Sequence, residues 1–404
     1  MMLTLAARNI TRHRGRTAMT LAAIATGIAA LILSGGFVQN LYRQLGESLI
    51  HSQSGHLQVA RPAYFAEGSR SPEAQRIPNL RQVQDELARV RGVSHVMARL
   101  NFSGLLSNSR SDLPIIGEGI EPLHEAELST SIRVVAGRFL RPSDRTGALI
   151  GEGLAKSLNL APGSAVTMIA NTVDGAINTA ELDVVGVFRS FSRDYDARAV
   201  KIPLAAAQDL LGVDDANTLV LLLSDTGLTA QAAGEATGLV QPRSLVVKDW
   251  QQLNDFYAST VALYDRQFGV LMVIILFLIA LGVSNTVNMA VMERMGEFGT
   301  MRAMGNRGAT ILKLILCESA LVGIVGMLIG VTLGVGLALV ISAAGIPMPP
   351  PPSSNVGYIA GIDLSARTIA EAAAIGVVGT VLAAILPALR ARSVPIIDAL
   401  RTTI

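Results

Sequence analysis

The chain has 404 residues, of which 50% are hydrophobic and only 16% charged. Soluble chains average about 25% charged residues, so the composition argues against an ordinary cytosolic enzyme, and disorder would need low hydrophobicity with high net charge. The 33 basic and 31 acidic residues leave a formal charge of +2, which gives no field to draw nucleic acid, and the single cysteine, Cys317, supports neither an internal disulfide framework nor a cysteine zinc site.

Residues 1–16 come first. Leu3, Ala6, Ala7 and Ile10 share one helical face while Arg8 and Arg12 point away, which predicts an amphipathic cytoplasmic helix along the inner membrane surface. Residues 17–38 then run 22 positions without a charge, enough to cross a bilayer as helix. A cleaved signal peptide is the alternative; the long basic lead, the length of the apolar run and the lack of a clear A-x-A site argue against it.

Residues 39–267 form a 229-residue insertion with 21 basic and 25 acidic side chains, the charge density of a soluble domain large enough for its own core. Its edges are helical. Val38, Leu41, Leu45 and Leu49 fall on one face, as do Leu253, Phe256, Tyr257, Val261, Tyr264 and Phe268. Two stalks that carry the domain are predicted; helices that merely cap its base are the alternative. Between them we expect a strand at Gly55–Val59, an amphipathic helix over Asn79–Val90, and a hairpin of Val166–Ala170 with Leu182–Phe188 around Asp174-Gly175. Ala148–Ile150 should be a strand running into a helix that opens at Gly151–Ser157. A short helix at Leu204–Leu211 and a strand at Thr218–Leu223 complete an α+β domain of short elements.

Three further charge-free runs follow, at 268–292, 319–346 and 372–389. The last has only 18 residues and contains Pro387, so a buried soluble helix competes with a membrane span there. Basic residues cluster before the first span (Arg8, Arg12, Arg14, Arg16), after the second (Arg294, Arg302, Arg307, Lys313) and after the fourth (Arg390, Arg392, Arg401). Because basic loops stay inside, both termini and loop 293–310 face the cytoplasm, and 39–267 and 347–371 face outward. The expected order is therefore a cytoplasmic helix (1–16), a first transmembrane helix (17–38), the outer domain (39–267), a second helix (268–292) and an inner loop (293–310). A third helix (311–346), an outer loop (347–371), a fourth helix (372–389) and a cytoplasmic tail (390–404) complete it. The fold class is membrane α-helical, with four transmembrane helices, an N-terminal amphipathic helix and a large α+β extracytoplasmic domain.

No catalytic constellation stands out. Gly151–Ser157 ends in Lys-Ser but has Ala155 where a phosphate loop needs glycine. The five histidines form no H-E-x-x-H pair, and no G-x-S-x-G occurs. Asp194 and Asp196 flank Tyr195, where a cation site competes with a solvated loop. In the third span Gly323, Gly326, Gly330 and Gly334 line one face and allow close helix packing. Lys313 and Glu318 at its inner start read either as functional intramembrane charges or as snorkelling side chains.

The inner loop carries the functional signal. It is an amphipathic stretch in which Phe298, Met301 and Met304 are apolar and Glu293, Arg294, Glu297 and Arg302 are charged. Such a methionine-rich face suits a partner's groove; an interfacial helix is the other reading. At Glu293, Arg294, Glu297, Phe298, Gly299, Arg302, Ala303, Met304 and Gly305 the sequence matches E-R-x-x-E-[IF]-G-x-x-R-A-[LIM]-G and resembles the FtsX/MacB-like (type VII) permeases of ATP-binding-cassette (ABC) transporters. The layout is similar along the whole chain, and Leu149-Ile150-Gly151 and Val247–Trp250 look like the lipoprotein-releasing LolC/LolE branch.

The resemblance implies a non-catalytic permease subunit in a bacterial inner membrane, and makes those nine residues the seat of a separate cytosolic ATPase subunit, two of which would serve each complex. ATP and magnesium would bind to those subunits and no cofactor to this chain. It further implies a second permease copy or paralogue, and contact with lipid or lipoprotein and with a periplasmic carrier or adaptor. Mechanotransmission would extract or expel a hydrophobic or lipidated substrate, with lipoprotein release toward the outer membrane first. MacB-like efflux and FtsX-like activation of a cell-wall hydrolase are the alternatives. LolC-type subunits carry a protruding hook; the loop at Asn171–Thr179 is short by comparison.

Overall fold

A computed structural model describes residues 14–67, 75–350, 354–355 and 357–393. The amphipathic helix expected at 1–16 lies almost wholly outside the described residues, as does the tail from 394 on. The chain divides into two compact units, a membrane unit (Met1–Tyr42, Thr260–Pro347, Ile359–Ile404) and an outer domain (Arg43–Ser259, Met348–Tyr358).

Among the described residues, four helices are long and apolar enough to cross a membrane. Helix α1 (Arg14–Leu49) has 36 residues. At 1.5 Å per residue it is about 54 Å long, well beyond the roughly 30 Å hydrocarbon core. In the outer domain, Leu45 and Leu49 near its end are buried with Phe191. A π-turn at Ile50–Ser54 then stops it at Gly55, whose φ is +63° and whose N–H bonds Ile50 O at 3.0 Å. A Cβ at Gly55 would lie 2.4 Å from Val220, so this turn needs glycine twice over.

The outer domain is built on one ten-stranded sheet. Its strands are β1 (Leu57–Ala60), β2 (Val93–Ser107), β3 (Asp112–Ile120), β4 (Arg133–Gly137), β5 (Gly147–Gly151), β6 (Ala165–Asn171), β7 (Ile177–Arg189), β8 (Ala199–Pro203), β9 (Thr218–Leu223) and β10 (Val246–Asp249). Their order is β10-β1-β9-β2-β3-β8-β5-β7-β4, with β6 pairing both β2 and β7. The β6–β7 hairpin closes from Asn171↔Ile177 around Gly175 at φ +85°, as the Asp-Gly pair predicts.

Helix α2 (Pro62–Glu67), α3 (Leu80–Leu87), α4 (Pro122–Leu128), α5 (Glu152–Ser157), α6 (Arg193–Asp196), α7 (Leu204–Leu211), α8 (Thr229–Val240) and the short α9 (Trp250–Leu253) complete the domain. There are two main cores. One gathers Phe102, Ile150, Leu154, Met168, Leu182, Ile202 and Leu210; the other gathers Leu57, Val83, Leu87, Leu219, Leu221 and Ala236.

Helix α10 (Asp255–Glu293, 39 residues) returns to the membrane unit and is followed by α11 (Met295–Ala303), α12 (Gly308–Ala344) and α13 (Ala366–Ser393). The membrane core is Ile24, Ile28, Leu31 and Ile32 of α1 with Ile279 and Val283 of α10 and Ala372 of α13. Gly323, Gly326, Gly330 and Gly334 of α12 are buried. A Cβ on Gly326 would lie 2.8 Å from Ile24, one on Gly330 2.9 Å from the carbonyl of Ala25, and one on Gly334 3.1 Å from Ala29 Cα. Gly323 faces Thr380 of α13. The absence of side chains there lets α1 and α12 touch at backbone distance.

The outer loop expected at 347–371 is divided between the units. Residues 348–358 belong to the outer domain, because Asn355 donates to the buried carboxylate of Asp196 at 2.5 Å and its N–H bonds Phe191 O at 2.9 Å. Residues 359–365 stay with the membrane unit, where Asn40 donates to Asp363 at 3.0 Å.

Candidate coupling site at the inner loop

Helix α11 exists because the chain breaks twice within a short stretch. Arg294 leaves helical geometry (φ −100°, ψ +15°) and ends α10. Gly305 takes φ +93°, where Asn306 N–H bonds Met301 O at 3.2 Å and closes the C-terminus. Between these breaks, Thr300 Oγ1 donates back to Glu297 O at 2.8 Å.

The helix is seated by one aromatic side chain. Phe298 is 2% exposed and packs with Val291, Ile311, Leu314, Ile315, Ala388 and Ala391, so it joins α10, α12 and α13. This corrects the apolar docking face expected of Phe298, Met301 and Met304. Phe298 points inward, Met301 is half-buried and Met304 is 76% exposed. With so little room between two spans, the largest apolar side chain fills the bundle.

Arg294 also turns inward. Its Nη1 donates to Glu318 Oε2 at 2.8 Å and Oε1 at 3.0 Å, its Nε donates to Glu297 Oε2 at 3.0 Å, and its guanidinium lies 5.2 Å from the Phe298 ring centroid. Glu318 is therefore part of an inter-helix ion pair, whereas Lys313 is exposed. A cavity of about 100 Å³ opens beside the pair, walled by Thr20, Val283, Thr286, Val287, Ser319 and Thr380.

The other motif residues divide by exposure. Glu293, Glu297, Ala303, Met304 and Gly305 are exposed, Arg302 is half-buried and Gly299 is buried. The exposed set offers a carboxylate-and-methionine surface at the end of two long helices.

The outer domain holds a second constellation. Arg99 (β2), Glu118 (β3), Glu125 (α4) and Lys201 (β8) are all buried. Arg99 donates to Glu125 through Nε at 3.1 Å and Nη2 at 2.6 Å, and to the carbonyl of Gln53 in the π-turn. Lys201 Nζ bridges Glu118 at 2.7 Å and Glu125 at 2.9 Å, and Tyr195 Oη donates to Glu118 at 2.7 Å. Burial opposes ionisation of Glu125, but Arg99 and Lys201 outweigh it and hold its carboxyl down to about 2.

Burial and Glu118 push the Tyr195 phenol well up. Nothing in the spacing of these five residues along the chain signals the cluster.

The other motifs have structural uses. Gly151 caps α5, where a Cβ would sit 2.2 Å from Asp196 O, and Glu152 is tied to Arg189 at 2.6 Å. Asp194 is exposed, whereas Asp196 is buried and accepts the Ser190 N–H at 3.0 Å. Among the described residues no group of three or more His, Cys, Asp or Glu is arranged to hold a metal ion.

The sequence matches the family model of the MacB-like periplasmic core domain over residues 17–239 and that of the FtsX-like permease C-terminal region over 269–396. The chain belongs to the FtsX/MacB-like permeases. It is 23% identical over 323 residues to the lipoprotein-releasing system transmembrane protein LolE of Haemophilus influenzae, covering 78% of this chain and 76% of that one. It is 25% identical over 338 residues to LolC of Neisseria meningitidis serogroup B, covering 79% and 76%. The pyoverdine export ATP-binding/permease protein PvdT of Pseudomonas putida is 26% identical over 349 residues, 82% of this chain but 50% of that one. As a member of this family the chain is an ABC transporter permease, an inner-membrane protein with a periplasmic domain.

Proposed function

We propose that this permease works without catalytic chemistry of its own and carries force from cytosolic ATPase subunits to its periplasmic domain, releasing lipoprotein from the membrane. The observation that carries the reading is α11, a short helix seated between two spans by Phe298 while Glu297 and Met304 stay exposed. Two ATPase subunits would bind ATP and magnesium and press on this surface in a dimer of permeases, with both termini cytoplasmic. Helices α1 and α10, of 36 and 39 residues, run on from the membrane unit into the outer domain, so movement at one end is passed along an unbroken helix.

Lipoprotein as cargo is favoured by the likeness to LolE and LolC. The work is large: three acyl chains with about 45 methylenes, at about 0.8 kcal/mol each, resist extraction by roughly 35 kcal/mol. A periplasmic carrier would take the released product. Export of a smaller amphiphile is the second reading, favoured by the MacB-like domain match and the likeness to PvdT.

The test is ATP turnover by the reconstituted complex. Stimulation by a triacylated lipoprotein, with its transfer to a soluble carrier, is the expected result. Stimulation by small amphiphiles alone would overturn the lipoprotein reading.

A further inference from the structure

We infer that Glu318 is a positioning residue that clamps the coupling helix to α12 through Arg294, so that α11 and α12 move as one body. The inference deepens the proposed function and rests on that reading of α11. In the family motif Arg294 looks like a contact for the ATPase, but its guanidinium faces the bundle. Both Glu318 oxygens accept from Nη1, at 2.8 and 3.0 Å, and Glu297 takes Nε at 3.0 Å.

The two side chains are mostly covered, at 13% and 17% exposure, so the pair is shielded from salt and water far better than a surface bridge. Guanidinium geometry allows one residue to hold Glu297 on α11 and Glu318 on α12 at once. Phe298 lies against the same guanidinium and packs on Ile311, Leu314 and Ile315 of α12. A push on the exposed face of α11 therefore reaches α12 through two independent contacts, one ionic and one apolar. The apolar contact alone resists separation but not sliding, because dispersion and burial have no direction. The ion pair fixes the register.

The experiment uses the full chain with Cys317→Ser and spin labels at Thr300→Cys and Leu328→Cys, two exposed positions on the two elements. With Glu318 in place, one narrow label distance is expected, unchanged when the ATPase and ATP are added. Glu318→Gln should broaden it even without nucleotide, leave ATPase co-purification intact, and lower lipoprotein released per ATP by about tenfold, an ordinary size for a coupling energy. The swap Arg294→Glu with Glu318→Arg should restore both the narrow distance and release.

Either a Glu318→Gln distance as narrow as before or an ATP-driven shift with Glu318 intact would overturn the clamp. If Glu318→Gln fails to insert, Glu318→Asp, which keeps the charge on a shorter arm, should show the same broadening in milder form; a narrow distance there overturns the clamp as well. Failure of the unaltered chain to retain the ATPase would instead sink the coupling reading, while the nucleotide-free distances still decide the clamp.

Discussion

In the membrane unit, α12 meets α1 through glycines, with the backbone of Ala25 only 2.9 Å from where a Gly330 Cβ would stand. In the outer domain, two cations and two carboxylates share a buried site with a tyrosine hydroxyl. The two regions answer the same need, a unique packing, with different means. Helices in lipid gain nothing from hydrophobic burial against one another and rely on close approach. A water-exposed sheet already has that driving force, and its buried charges are stable only while every partner is present.

Breaking the charged cluster should therefore give the largest effect. Glu125→Gln leaves Arg99 and Lys201 under-compensated and should cost about 3–5 kcal/mol. Trp250 is the only tryptophan, lies in the outer domain and packs edge-on to Tyr257 at 4.7 Å, so its fluorescence during thermal unfolding of the full chain reads this loss. A melting curve like that of the unaltered protein would show that the cluster is not holding the sheet.

The helix contact should be next. Gly330→Ala places a methyl against backbone that cannot move aside and should cost about 1–3 kcal/mol. The expected readout is earlier reaction of Cys317 with a thiol dye on heating, with Trp250 unfolding unchanged. An equal shift of both probes would mean that the units do not respond separately.

A smaller effect comes from pH. His56 is held down to about 4 by burial first and by His51 second; its Nδ1 accepts the Leu223 N–H at 3.1 Å, and its Nε2 lies 3.0 Å from Thr226 Oγ1, itself bonded to Glu47 at 2.7 Å. A base whose folded value lies below its unfolded 6.5 stabilises the fold above pH 6.5, and that stability is lost as pH falls toward 4. The outer domain should lose on the order of 1 kcal/mol per pH unit in this window. His56→Asn, which keeps an acceptor for Leu223, should flatten the slope; an unchanged slope would assign it to other groups.

Much of the fold is legible because it is periodic or punctuated. The spans announce themselves as charge-free runs, and Asp174-Gly175 marks its hairpin. The run to Leu49 on one face foretells that α1 outlasts the membrane. The inner loop is legible as a motif but not in its division of labour: periodicity puts Phe298, Met301 and Met304 on an apolar face, and only packing shows that Phe298 belongs to the bundle. The cluster of Arg99, Glu118, Glu125, Tyr195 and Lys201 is illegible, since isolated charges on strands read as solvated until the sheet order brings them together. Asn355 is hidden for the same reason, being 159 residues from Asp196.

The central claim is that the exposed face of α11 seats the ATPase. Its most direct test is co-purification of the ATPase with the full chain carrying Glu297→Lys and Met304→Glu, both positions exposed. The account predicts an unchanged Trp250 melting curve with loss of the ATPase and of ATP-driven release. Undiminished association and release in that variant would contradict it.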